Sequence, residues 1–246
     1  MAPTGKSTKV PFIRQDQRPD TQSAASDVAA FLDKVRATPD TGQGGRLIFA
    51  LDATMSRQPA WDQACHIQSE MFREAGKISG LQIKLVYFRG FGECRASRWF
   101  ADGDELATVM SRISCQGGRT QIGKVLSAAL KSADAEKVAA LVYVGDCMEE
   151  DVDDLCDKAG RLGLLGVPMF LFQEGRDSVA ERAFREMARL TRGAYCRFEP
   201  GAERQLAELL KAVAVFAAGG RDALVALEKK GGHSARLLLE QIKPAK

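Results

Sequence analysis

Three short segments of this chain carry groups suited to holding a hard cation. The first is Asp52-Ala53-Thr54-Met55-Ser56, an aspartate with hydroxyls two and four positions after it. The second is Gly117-Gly118-Arg119-Thr120-Gln121-Ile122-Gly123, a glycine-rich turn with a further hydroxyl at Thr120. The third is Gly145-Asp146-Cys147, an aspartate directly after an apolar run. Mg²⁺ and Ca²⁺ take oxygen ligands, and Mg²⁺ keeps several waters where protein donors are few. Two carboxylates with three neutral hydroxyls would leave the ion residual positive character and an open position, suited to an acidic group from another protein.

These segments act together only if the fold brings them to one edge, and the patterning between them does so. Leu47–Leu51 is a short apolar run, expected of a strand buried on both faces. Residues 59–76 have the spacing of a helix, with Trp61, Cys65, Met71, Phe72 and Ala75 on one side. Leu81–Phe88 reads as the next strand, residues 93–100 as a short edge strand, and Asp104–Ile113 as helical. Then come a helix over Thr120–Ala133, a strand over Val138–Val144, a helix over Asp151–Leu165 and a strand over Val167–Phe172. Ser178–Arg192 is expected to be a helix, Ala194–Phe198 the last strand, and residues 202–218 a closing helix. Strands alternating with helices through short connections predict an α/β fold: a three-layer, doubly wound, mostly parallel sheet with helices on both faces. In such a sheet function gathers at the carboxyl ends of the strands. All three segments fall there.

Residues 1–45 are expected to be a disordered arm, a short helix begun at Ser26 and a glycine-rich linker. The α/β domain spans residues 46–218, and residues 219–246 form a helical tail.

Asp52-x-Thr54-x-Ser56, then Thr120, then Asp146, resembles the metal-ion-dependent adhesion site of the von Willebrand factor A domain family. The pattern there is D-x-S/T-x-S, a threonine in a glycine-rich loop before a helix, and an aspartate after a later strand. The resemblance covers about residues 46–218. It implies Ser56, Thr54 and Thr120 as hydroxyl ligands, and Asp52 and Asp146 as ligands directly or through water. The implied cofactor is Mg²⁺ (or Mn²⁺ or Ca²⁺), and the implied activity is non-enzymatic: a protein partner completes the metal sphere with a carboxylate. Thr54 stands where serine is commoner and keeps the hydroxyl. Met55 stands where a small residue is common, making the loop tip bulkier and more apolar.

A second reading is a phosphotransferase resembling the haloacid dehalogenases, with Asp52 as nucleophile, Thr120 on phosphate, and Asp146 with Glu150 or Asp151 on Mg²⁺. Against it, Thr54 occupies the position of that family's second aspartate, and Thr120 follows Gly117-Gly118-Arg119 instead of ending an apolar strand. A third is a scaffold of the same fold that uses no metal. Gly42-Gln43-Gly44-Gly45 precedes a strand, the wrong context for a dinucleotide turn.

Simpler readings stand beside these. Thr120 also reads as the N-cap of its own helix. Glu149, Glu150, Asp151, Asp153 and Asp154 read as favourable charge at a helix N-terminus plus a solvated face. Arg57 and Arg119 either steer an acidic partner or are simply exposed. Arg89-Gly90-Phe91-Gly92 reads as a glycine-driven turn. His66, beside Cys65, has no other histidine nearby in sequence and reads as a packing or surface residue, and His233 lies in the tail.

The bulk numbers set only broad bounds. The chain has 246 residues, 45% of them hydrophobic, enough for one well-buried core. Its net charge of +3 on 27% charged residues gives no clear nucleic-acid signal. The six cysteines form no C-x-x-C pair, and no apolar stretch marks a membrane span or a secretory leader. The expectation is a cytoplasmic protein with reduced thiols.

Overall fold

The computed structural model describes residues 45–57, 80–199 and 202–242. The helices expected after Ser26 and over residues 59–76 lie outside these. So does the arm before Gly45.

The described residues contain a six-stranded sheet: β1 Arg46–Asp52, β2 Gln82–Arg89, β3 Glu93–Phe100, β4 Ala140–Gly145, β5 Met169–Glu174 and β6 Ala194–Phe198. Their spatial order is β3-β2-β1-β4-β5-β6. Only the β2–β3 pair is antiparallel; the other pairings are parallel. Six helices are described: α1 Gly103–Met110, α2 Ile122–Ala135, α3 Val152–Leu164, α4 Ser178–Thr191, α5 Glu203–Lys229 and α6 His233–Leu239.

The two faces of the sheet feed two cores. Leu47, Phe49, Leu51, Val142 and Val144 pack with Leu106 and Met110 of α1, Leu209 and Val213 of α5 and Leu238 of α6. The alternate residues Ile48, Ala50, Leu141 and Tyr143 pack with Val125 and Leu126 of α2, Leu155 of α3 and Phe184 of α4. Alternation along buried strands thus assigns each side chain to one layer. Every residue of β4 and β5 is buried. This is the three-layer α/β architecture expected from the sequence.

Local signals explain several boundaries. Asp102, Asp151 and Asp177 are N-caps of α1, α3 and α4, their carboxylates accepting from backbone N–H groups of the first turn. Asp151, expected inside its helix, therefore sits just before it. The closing helix continues past residue 218. It bends at Gly219 and Gly220, the latter at φ +66°, and Leu224, Ala235 and Ile242 beyond the bend join the core on that face. The edges differ from the centre. β3 is half exposed and carries Glu93, Arg95 and Arg98, while on β6 the Tyr195 N–H donates to Gln241 Oε1 at 2.9 Å.

Candidate metal centre

The strand order turns between β1 and β4. From β1 the chain proceeds outward through β2 and β3, then returns to β4 on the other side. The crevice outside the carboxyl ends at such a switch point is where open α/β sheets bind ligands. Asp52 is the last residue of β1, and Asp146 follows the last residue of β4.

Asp52 is fully buried. Its Oδ1 accepts from Thr54 N at 2.7 Å, which bends the chain out of the strand into a 3-10 turn over Met55–Arg57. That bend sets the Thr54 and Ser56 hydroxyl oxygens 3.0 Å apart. The glycine-rich turn is fastened beside it, with Gln116 N donating to Ala53 O at 3.0 Å. On its far side it touches the β2–β3 turn. A Cβ on Gly118 would lie 1.9 Å from Gly90 O, so only glycine permits this approach, and Gly90 itself sits at φ +60°.

Thr120 is buried in this turn and is tied to the loop after β4 in both directions. Its Oγ1 accepts from Glu149 N at 3.0 Å, and its N–H donates to Glu149 Oε2 at 3.2 Å. A hydroxyl accepting one bond still has a second lone pair and its own proton to offer. Thr120 is not the cap of α2, which begins two residues later. The capping carboxylate is that of Glu150, which accepts from Ile122 N at 2.5 Å and Gly123 N at 2.8 Å. The acidic pair thus compensates a helix N-terminus, as expected, but that of α2 instead of the helix following it in sequence.

Asp52, Asp146 and Cys147 each present one ligand atom, all within 4.8 Å of one another. Asp52 Oδ2 and Asp146 Oδ1 are buried with no hydrogen-bond partner. Beneath them the Tyr143 hydroxyl is likewise buried and unpartnered, and a Cβ on Gly145 would come within 2.5 Å of it. Burial is the main force on these groups. It lifts the Asp52 carboxyl to about 6, with the Asp146 charge adding to the rise while hydrogen bonds from Thr54 and the Arg57 charge oppose it. Burial, then the Asp146 carboxylate, pushes the Cys147 thiol to about 12, and burial drives Tyr143 well above its usual range. Unpaired buried oxygens of like charge are costly. A divalent cation among them inverts this balance, since its charge favours every deprotonated donor. The donor set therefore fits such an ion.

The five residues singled out from sequence gather at these strand ends. Asp52 and Asp146 face each other, Thr54 and Ser56 form one hydroxyl pair, and Thr120 is clasped to the loop that follows Asp146. One expectation about the flanking arginines changes. Arg57 is neither exposed nor a steering group: it is buried, and its guanidinium pairs with Glu174 at the end of β5, with Nη2–Oε2 2.8 Å and Nε–Oε2 3.0 Å. Arg119 is exposed. Sequence reasoning treated Cys147 as an ordinary reduced core thiol, although its place directly after Asp146 signalled that it shares the edge. Among apolar groups, Met55 and Phe91 stand out beside the site, 52% and 83% exposed.

No protein-family model matches the sequence, and no curated protein is similar to it. Solved structures do share its fold. A von Willebrand factor type A protein from Catenulispora acidiphila superposes with a TM-score of 0.55 at 16% identity, covering 70% of this chain and 42% of that one. Proximal thread matrix protein 1 of the mussel byssus, with a zinc-occupied MIDAS motif, gives 0.55 at 14%, covering 70% and 46%. The SpRpn10 VWA domain gives 0.50 at 13%, covering 66% of this chain and 94% of that one. The chain thus spans less than half of the first two and nearly all of the third. It has the von Willebrand factor A fold.

Proposed function

Taking that fold as premise, we propose that the chain is a non-enzymatic, metal-dependent protein-binding module. Asp52, Thr54, Ser56, Thr120 and Asp146 hold one divalent cation at the carboxyl ends of β1 and β4. The observation that carries this reading is the pair of buried, partnerless carboxylate oxygens on Asp52 and Asp146, beside the Thr54–Ser56 hydroxyl pair. Oxygen donors alone suit Mg²⁺, with Mn²⁺ and Ca²⁺ as relatives in preference. The bound ion supplies an electrophilic point for a carboxylate of the partner protein. The chain's own residues do the rest: the Asp52–Thr54 bend aims the hydroxyls, and the Thr120–Glu149 clasp keeps the second loop against them. Exposed Met55 and Phe91 give the partner apolar contacts around the ion.

The setting we infer is assembly of a cytoplasmic complex. Its support is the free state of Cys94, Cys147, Cys156 and Cys196. In addition, no helix among the described residues is long and apolar enough to cross a membrane.

Isothermal titration of metal-free protein with Mg²⁺ and Mn²⁺, beside Asp52→Ala and Thr120→Ala, tests the proposal. Saturable one-site binding, lost in both variants, is the expected result. Binding unchanged by both substitutions would overturn the site. Robust Mg²⁺-dependent phosphatase turnover abolished by Asp52→Asn would favour the phosphotransferase reading instead.

A further inference from the structure

The oxygen donors do not exhaust the site. Cys147 Sγ lies within 4.8 Å of ligand oxygens on both Asp52 and Asp146, and among the described residues this is the one such cluster of three. The Asp52 side chain is fully buried, and its Oδ2 has no partner. The sulfur therefore lies beside a fully buried carboxylate that keeps one oxygen unsatisfied. The other described thiols are accounted for by packing. Cys115 and Cys196 belong to the core under α1 and α5, while Cys94 and Cys156 pack against the core under α2 and α3. Cys147 belongs to neither core. The charges acting on it are those of Asp146, Asp52 and Glu149.

We propose that Cys147 is a sulfur ligand of this metal site, and that the site consequently selects Zn²⁺ over Mg²⁺. The inference rests on the cation-site reading above and changes the ion at that place from the Mg²⁺ that oxygen donors alone would suit to Zn²⁺. Mg²⁺ takes oxygen ligands and gains little from sulfur, whereas Zn²⁺ binds thiolate and carboxylate donors in one site. Two carboxylates and one thiolate are three protein ligands, the number that leaves Zn²⁺ one position for an outside group. The partner's carboxylate then enters that position. Coordination releases the thiol proton to solvent, so uptake of the ion is accompanied by proton release. With zinc, the Thr54, Ser56 and Thr120 hydroxyls would stand outside the sphere instead of ligating the ion, and Thr54, which hydrogen-bonds Asp52, would orient that carboxylate.

The test uses the full chain, freed of metal, with Zn²⁺, Mg²⁺ and Co²⁺ as probes on wild type, Cys147→Ser and Cys156→Ser. Wild type should bind Zn²⁺ at least about 100-fold more tightly than Mg²⁺, and Cys147→Ser should lose at least about 100-fold in Zn²⁺ affinity, beyond the ~10–100-fold that loss of an outer-shell partner costs, while Mg²⁺ affinity stays nearly constant. The Co²⁺-loaded wild type should show a sulfur-to-cobalt charge-transfer band in the near ultraviolet, retained in Cys156→Ser and absent from Cys147→Ser. Equal affinity of wild type for Zn²⁺ and Mg²⁺, or a band that persists in Cys147→Ser, overturns the sulfur ligand and leaves the oxygen site standing. Failure of all three cations to bind wild type overturns both.

Discussion

The ends of β1 and β4 differ from the end of β5 in one respect, though all three bury polar groups. At the end of β5 every such group is paired. Glu174 holds Arg57, and Gln173 accepts from the Tyr195 hydroxyl at 2.7 Å while its amide donates to Asp177 O at 2.7 Å. At the ends of β1 and β4, Asp52, Asp146 and Tyr143 each keep a buried polar atom without a partner. Residues a few ångströms apart in the same sheet thus follow opposite rules. The first set is closed on itself and serves the fold. The second keeps buried polar atoms unpaired at a cost to the fold, which is what the proposed cation site requires.

Substitutions on each side should separate these roles. The largest effect belongs to the closed side. Glu174→Ala leaves the Arg57 guanidinium buried without its counter-ion and should destabilise the domain by about 3–5 kcal/mol, read by thermal or urea denaturation. A loss below about 1 kcal/mol would mean that the two regions are not different in kind.

Next comes the opposite sign on the unpaired side. A carboxyl lifted from 3.8 to about 6 takes up its proton more readily folded than unfolded. Its contribution to stability is fully present below about pH 4 and is lost as pH rises through about 6. At pH 7 the buried charge costs roughly 3 kcal/mol. In chelator at pH 7, Asp52→Asn should therefore be more stable than wild type by up to about that amount, with the advantage vanishing below about pH 4. The same substitution should abolish metal binding. A less stable Asp52→Asn at pH 7 would show that the carboxylate is structural.

Smaller effects sharpen the boundary. Glu150→Ala removes the cap of α2 and should cost about 1–2 kcal/mol in denaturation. It should also weaken cation binding, because the turn carrying Thr120 leads into that helix. Asp146→Ala, at a loop edge, should weaken metal binding while changing stability in metal-free buffer by less than about 1 kcal/mol. A large drop in melting temperature for that variant would move Asp146 to the closed side.

What could be read from sequence followed from local rules. Apolar runs located β1, β4 and β5, because central strands of a parallel sheet are buried on both faces and need nothing else. Asp52 and Asp146 were legible as neighbours because each ends or follows such a run, and topology alone brings those strand ends together; Thr54 and Ser56 come with Asp52, whereas Thr120 was marked only by the glycine-rich turn that carries it. The rest depends on pairing between distant positions. Arg57 and Glu174 are 117 residues apart, and Thr120 meets Glu149 across 29. Nothing local to Arg57 distinguishes a buried arginine from an exposed one. Glu150 looked like part of the helix that follows it, since sequence proximity does not reveal which N-terminus a carboxylate reaches. Cys147 was hidden by its chemistry: a small thiol near an apolar strand resembles any core cysteine until its neighbours are known to be two carboxylates.

The borders of the sheet carry a consequence for how this molecule meets others. β3 lines its open side with Glu93, Arg95 and Arg98, and on β6 a backbone donor is already taken by Gln241. A neighbouring chain that tried to add a strand would meet charge on one flank and an occupied hydrogen-bond donor on the other. Copies of the protein are thereby discouraged from stacking into extended ribbons, and association is turned away from the backbone ladders toward contacts made by side chains.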